Sequence, residues 1–212
     1  MKCVLIHGMG QGATSWNGVI SSMGEATSVA APDLWYLLNG KDATYKNLYT
    51  AFAVYLDSLS SEGVPLSLCG LSLGGRLALN YALDYPEKVG SLMLVGVQYK
   101  TPKGQTRMQK LIFKLMPSSV FKNMGLTKKE MISLSASLTE LDFSPRLKDV
   151  SCPTSVLYGE KDSPAIKQAA EHLAKTIPRA QLAYIQNAGH QVNEHNPKDL
   201  ALKITEFFNC RK

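Results

Sequence analysis

The stretch Ser67-Leu68-Cys69-Gly70-Leu71-Ser72-Leu73-Gly74-Gly75-Arg76 limits what this chain can fold into more than any other. An apolar run from Val64 to Cys69 stops at Gly70, and helix-forming residues follow Gly75. The pattern predicts a strand, a sharp turn and a helix, with Ser72 at the apex inside Gly-x-Ser-x-Gly. A turn this tight strains the serine backbone. Glycines two residues before and after it keep side chains from colliding where strand and helix crowd together. The turn lifts the serine hydroxyl clear of the strand. It also sets the Leu73 amide at a helix N-terminus, where that amide can stabilise a developing oxyanion.

The same alternation of strand and helix runs through most of the chain. Residues 2–6, 27–31, 89–97, 154–158 and 181–185 read as further short apolar strands, six with the run before Ser72. Helical patterns separate them over 14–23, 44–59, from the elbow to Tyr85-Pro86, over 163–176 and from Pro197 onward. In the second of these Leu48, Phe52, Tyr55, Leu56 and Leu59 recur at helical spacing. Residues 34–42 read as irregular and turn-rich. Six apolar strands separated by helices predict an α/β fold with a parallel sheet covered on both faces. A chain of 212 residues, 45% hydrophobic, suffices for one domain over 1–212. Residues 98–149 interrupt the rhythm with helical material punctuated by Pro117 and Pro145, and read as an insertion.

Charge and cysteine placement exclude several classes. The net charge is +6, and residues 98–149 hold ten Lys/Arg against four Asp/Glu while the remainder balances. One segment carries the whole surplus, which argues against a nucleic-acid-binding surface. The cysteines Cys3, Cys69, Cys152 and Cys210 are scattered with no metal-site or disulfide spacing. They read as buried thiols in a reducing cytoplasm, and no metal or cofactor is expected. The apolar start, Met1 to His7, is too short for a signal peptide, and no run approaches the ~18 residues of a stable membrane insertion.

In a parallel sheet, reactive groups gather at the carboxyl ends of strands. Four polar features sit there: the loop His7-Gly8-Met9-Gly10, Ser72, Asp162 shortly after its strand, and His190. A serine hydroxyl becomes a useful nucleophile when an adjacent imidazole takes its proton. A carboxylate fixes that imidazole's tautomer and stabilises its protonated form. Two backbone N–H groups hold the oxyanion, and Leu73 and Met9 are the natural donors. His7 adjoins the oxyanion loop and reads as its buttress. His195 reads as a solvated neighbour of His190, and His172 has no role. Asp142, in the insertion, is the competitor to Asp162 for the acid. Trp16 reads as core or pocket wall.

Taken in order, the His-Gly loop, Gly-Leu-Ser-Leu-Gly-Gly, Tyr-Gly-Glu-Lys-Asp and Ala-Gly-His resemble the α/β-hydrolase family over nearly the whole chain. The resemblance implies Ser72 as nucleophile, Asp162 as orienting acid and His190 as general base and acid. It implies a serine hydrolase that cleaves a small or medium carboxylic ester through an acyl-enzyme. The sheet is expected to be trimmed, because the chain opens directly on the His-Gly strand and lacks Pro-Gly-x-Gly after Pro32-Asp33. Residues 98–149 stand where the family carries a cap over the serine. There Lys103, Arg107, Lys110 and Lys114 share one helical face and Met108, Leu111, Ile112 and Leu115 the opposite one. Two readings are open: the apolar face covers the pocket and the basic face meets water, or the basic face draws in anionic substrates or an anionic membrane surface.

Gly74-Gly75-Arg76 also resembles the elbow of the MenH-like carbon–carbon/carbon–oxygen lyases, in which an arginine here binds a substrate carboxylate. A structural Arg76 bonded to nearby carbonyls is the competing expectation. The alternatives to the hydrolase are therefore that lyase chemistry on an anionic substrate, and a non-catalytic ligand-binding protein on the same fold.

Overall fold

The computed structural model describes residues 2–24, 28–60, 63–101, 104, 111–122 and 124–209. Six strands form one sheet: β1 (Cys3–Ile6), β2 (Val29–Ala30), β3 (Leu66–Leu71), β4 (Val89–Val95), β5 (Thr154–Gly159) and β6 (Ala180–Ile185). Their order is β2-β1-β3-β4-β5-β6, and every neighbouring pair is parallel. This is the doubly wound, helix-flanked parallel sheet that the apolar runs predict.

Alternation along each strand sorts side chains into two cores. On one face Cys3, Leu5, Cys69, Leu71, Met93 and Val95 pack with Trp16, with Val19 of α1 (Asn17–Met23) and with Ile204 of the helix Pro197–Asn209. On the other, Val4, Ile6, Leu68, Leu92 and Leu94 meet Phe52 and Leu56 from the helix Tyr45–Leu59, Leu77 and Tyr81 from the helix Leu73–Asp84, and Leu173 from the helix Pro164–Thr176. Caps start these helices where their side chains provide an acceptor. Thr44 accepts from Asn47 N–H, and Ser163 accepts from Ile166 N–H.

Three expectations change. Residues 34–38 are a short helix, not irregular chain, because Asp33 accepts the Trp35 and Tyr36 amides and so starts a turn that Leu34, Trp35 and Leu38 bury. The sheet is not covered evenly. Leu182 and Tyr184 of the edge strand β6 are 42% and 48% exposed. Leu111, Ile112 and Leu115, which one of the two readings of the insertion set over the pocket, are instead exposed, Leu115 at 78%. From that helical stretch it is Phe113 that turns inward, meeting Phe121 edge-on. Lys103, Arg107, Met108, Lys110 and Cys210 lie outside the described residues.

The connection from β4 to β5 holds the helices Ser118–Lys122 and Lys128–Ser137 and a 3-10 turn over Ser144–Asp149. Its two ends pair. Phe143 N–H donates to Tyr99 C=O at 2.9 Å, and Thr101 N–H donates to Leu141 C=O at 3.3 Å. Cys3, Cys69 and Cys152 are buried, and burial raises the Cys3 thiol to about 12. Among the described residues no helix is long and apolar enough to cross a membrane.

Candidate active site

The elbow at Ser72 follows from backbone crowding. A Cβ on Gly74 would lie 2.2 Å from Ile6 C=O, and one on Gly70 would lie 2.4 Å from Gly74 C=O. Only bare glycine lets β1, the end of β3 and the helix Leu73–Asp84 press together this closely. Ser72 is left at φ 52 and ψ −108, a region that costs roughly 1–3 kcal/mol and is sustained by its surroundings. Those surroundings hold it at both ends. Ser72 N–H donates to Val95 C=O at 2.8 Å, and Arg76 N–H donates to Ser72 C=O at 3.1 Å.

The loop after β1 closes over the same point. Gly8 approaches so closely that a Cβ there would lie 3.5 Å from Ser72 Cβ. Beneath the loop, His7 is fully buried. Its Nε2 accepts Leu34 N–H at 3.0 Å, and its Nδ1 stands 2.9 Å from Gly8 C=O. A ring that accepts at Nε2 and faces a carbonyl at Nδ1 must carry its proton on Nδ1, so it is neutral. Burial lowers its pKa, opposed by the Gly8 carbonyl and the Asp33 charge. Both ring nitrogens are occupied, as suits the expected buttress. Among the described residues the amides of Met9 and Leu73 have no protein acceptor, so both are free to serve a ligand.

The third element comes from β5 and the loop after β6. Asp162 is buried, with Oδ1 accepting Ser163 N–H at 2.9 Å and Oδ2 standing 3.1 Å from His190 Nδ1. The His190 side chain is 42% exposed and that of Asp162 4%. A carboxylate at Nδ1 favours the proton there and leaves Nε2 as the ring's basic atom. The pair lies beside the end of β4. A Cβ on Gly96 would be 3.0 Å from His190 Cε1 and 3.6 Å from Asp162 Oδ2. Gly96 directly follows Val95, whose carbonyl holds Ser72. The fold thus brings the His7–Gly10 loop, Ser72, Asp162 and His190 to one end of the sheet.

Other candidates stand apart. Asp142 accepts Ser144 N–H on its side chain, and its backbone pairs with that of Lys100 in an isolated antiparallel bridge at the base of the insertion. His172 stacks on Tyr99, with ring centroids 4.5 Å apart. Arg76 is buried, and its guanidinium donates to Gln98 C=O at 2.8 Å, Thr101 Oγ1 at 3.0 Å and Lys100 C=O at 3.4 Å. Burial draws its pKa to about 10, so it is charged at neutral pH and spent on the first residues of the insertion. These bonds are those of the structural expectation for Arg76.

One group was given too small a part in the sequence reading, and another was passed over. His195 is exposed, yet its Nδ1 accepts Gly189 N–H at 3.0 Å, so it holds the residue before His190 and is more than a solvated neighbour. Gln11 is buried and bonds Asn193 and Glu194. The available signal was a polar residue inside a glycine loop, together with Asn-Glu one helical turn after His190.

The chain matches the family model described as "Alpha/beta hydrolase family" over residues 3–202. It is 26% identical over 247 residues to a pimeloyl-[acyl-carrier protein] methyl ester esterase of Aromatoleum aromaticum, covering 96% of each chain. It is 21% identical over 254 residues to a monoacylglycerol lipase of Homo sapiens, covering 96% of this chain and 74% of that one. Among solved structures, a thermophilic esterase from Thermogutta terrifontis superposes with a TM-score of 0.81 at 22% identity, covering 99% of this chain and 90% of that one. MenH from S. aureus gives 0.78 at 18%, covering 99% and 93%.

Proposed function

The chain belongs to the alpha/beta hydrolase family, and on that footing we propose that it is a serine hydrolase cleaving a small or medium carboxylic ester. Ser72 Oγ attacks the ester carbonyl while His190 Nε2 takes its proton, and Asp162 stabilises the imidazolium so formed. The amides of Leu73 and Met9 hold the tetrahedral oxyanion. Collapse of that intermediate breaks the ester C–O bond, the alcohol leaves with the proton from His190, and an acyl-Ser72 ester remains. Water attacks the acyl-enzyme with His190 again as base, releasing the acid and restoring the hydroxyl.

The observation that carries this reading is the buried Asp162 carboxylate 3.1 Å from His190 Nδ1, set beside the strand end that holds the strained Ser72. Relatives whose names state ester substrates support the choice of bond. The connection 98–149 fits a helical cap of the same domain, with Met124 beside Gly10 of the loop. The lyase alternative is weakened, since the Arg76 guanidinium already meets three acceptors.

Turnover of short-chain p-nitrophenyl esters and labelling by a fluorophosphonate, wild type against Ser72→Ala, test the proposal. Loss of both in the variant is expected. A folded wild-type protein that neither turns over nor labels would defeat it.

A further inference from the structure

Gln11 is 7% exposed, and every hydrogen-bonding group it has is in use. Its backbone N–H donates to Gly8 C=O at 3.3 Å, and its carbonyl accepts Trp35 Nε1–H at 2.7 Å. Its side chain folds back into the loop, where Oε1 accepts Gly8 N–H at 3.2 Å and stands 3.4 Å from Asn193 Nδ2. Nε2 donates to Asn193 Oδ1 at 3.1 Å and to Glu194 Oε1 at 2.9 Å. Asn193 is itself 1% exposed, and its Nδ2 donates to Ser15 C=O at 3.1 Å.

These contacts do more than satisfy buried groups. Gly8 N–H, the amide just before Met9, is committed to Gln11, which leaves Met9 N–H as the amide free to face a substrate. Asn193 and Glu194 follow His190 by three and four residues, in the turn whose His195 holds Gly189. One amide side chain therefore ties the loop carrying an oxyanion donor to the segment carrying the base. A network of this kind fixes relative positions, because each member's dipole is set by the next.

We infer that Gln11 is a positioning residue for catalysis, which through Asn193 and Glu194 sets the Met9 amide against His190. The inference rests on the serine-hydrolase reading and deepens it. A carbonyl oxygen gains charge only as the transition state forms, so a misplaced donor lowers kcat and leaves KM nearly unchanged. Displacement by about an ångström is worth on the order of a hundredfold.

The test uses p-nitrophenyl ester turnover. Gln11→Glu keeps an acceptor for Gly8 N–H but turns a second acceptor toward Asn193 Oδ1 and Glu194, so kcat should fall about a hundredfold with KM within about threefold. Adding Glu194→Gln supplies a donor to the new carboxylate and should recover at least about tenfold of the loss, a coupling expected only of side chains in direct contact. Gln11→Met, which fills the space without charge, should lose at least about tenfold in kcat. Wild-type kcat in Gln11→Glu or Gln11→Met overturns the inference. So does a loss that Glu194→Gln fails to reverse in a protein melting at the wild-type temperature. Full esterase activity in Ser72→Ala would instead bring down the serine-hydrolase reading, and this inference with it.

Discussion

Gly96 and His190 are in contact across the end of the sheet: a Cβ on the glycine would stand 3.0 Å from His190 Cε1 and 3.1 Å from Nδ1. The glycine has φ +60 and donates its N–H to Leu157 C=O at 2.8 Å, so the backbone there cannot retreat without breaking a sheet bond. The imidazole is thus bounded by a backbone with no side chain on one side and by Asp162 beyond it.

Gly96→Ala should therefore push the ring off its position while leaving the sheet intact. The left-handed φ costs about 1 kcal/mol for alanine, readable as a modest loss in urea denaturation. The imidazole must give by a few tenths of an ångström, which should lower ester turnover by less than the roughly hundredfold that a misplacement of about 1 Å costs. Fluorophosphonate labelling should slow in parallel, since it also needs the proton taken from Ser72. Unchanged labelling in Gly96→Ala would mean that the His190 position has no part in activating the serine.

Arg76 gives a prediction that separates two chemistries. Its guanidinium joins the helix after the elbow to Gln98, Lys100 and Thr101, and Thr101 Oγ1 in turn donates to Leu138 C=O at 2.7 Å. Arg76→Ala leaves part-buried acceptors unmet and should cost about 1.5–3 kcal/mol, the range for hydrogen bonds to a charged group. It should change KM for an anionic and a neutral ester of equal size by the same factor. A KM rise confined to the anionic ester would restore the carboxylate-clamp role that the geometry argues against.

The sheet was legible in the sequence because its strands are short, mainly apolar runs with a Gly or Pro within a few residues of their ends, and that pattern survives any detail of packing. The positions of Ser72, Asp162 and His190 were legible for a related reason: each sits at such a run's end, where a parallel sheet collects its loops. The Leu34–Leu38 helix was not, because five residues are too few for periodicity to show. Its cause is the Asp33 carboxylate reaching two amides. The insertion misled for the opposite reason. Its apolar residues do recur at helical spacing, but spacing says which residues share a face, not what the face meets. Phe113 goes inward while Leu111, Ile112 and Leu115 remain in solvent. Gln11 was hidden because its partners, Asn193 and Glu194, lie 182 and 183 residues away, and no local pattern records such a pairing.

Buried His7 should make stability depend on pH near neutrality. Burial lowers its pKa in the folded protein below the ordinary value of 6.5, and protonation would also set a new N–H at Nε2 against the Leu34 amide. The unfolded chain then binds a proton at this ring at higher pH than the folded chain does, so stability rises with pH across the window between the two pKa values. The contribution is complete above about 6.5 and declines as pH falls from there through the folded-state pKa. Urea denaturation should give a smaller unfolding free energy at pH 5 than at pH 7.5. His7→Gln keeps a donor and an acceptor without a titrating ring, so it should flatten that slope while losing about 1–3 kcal/mol at pH 7.5 from imperfect replacement of two buried hydrogen bonds. A slope unchanged in His7→Gln would assign the acid sensitivity to another group.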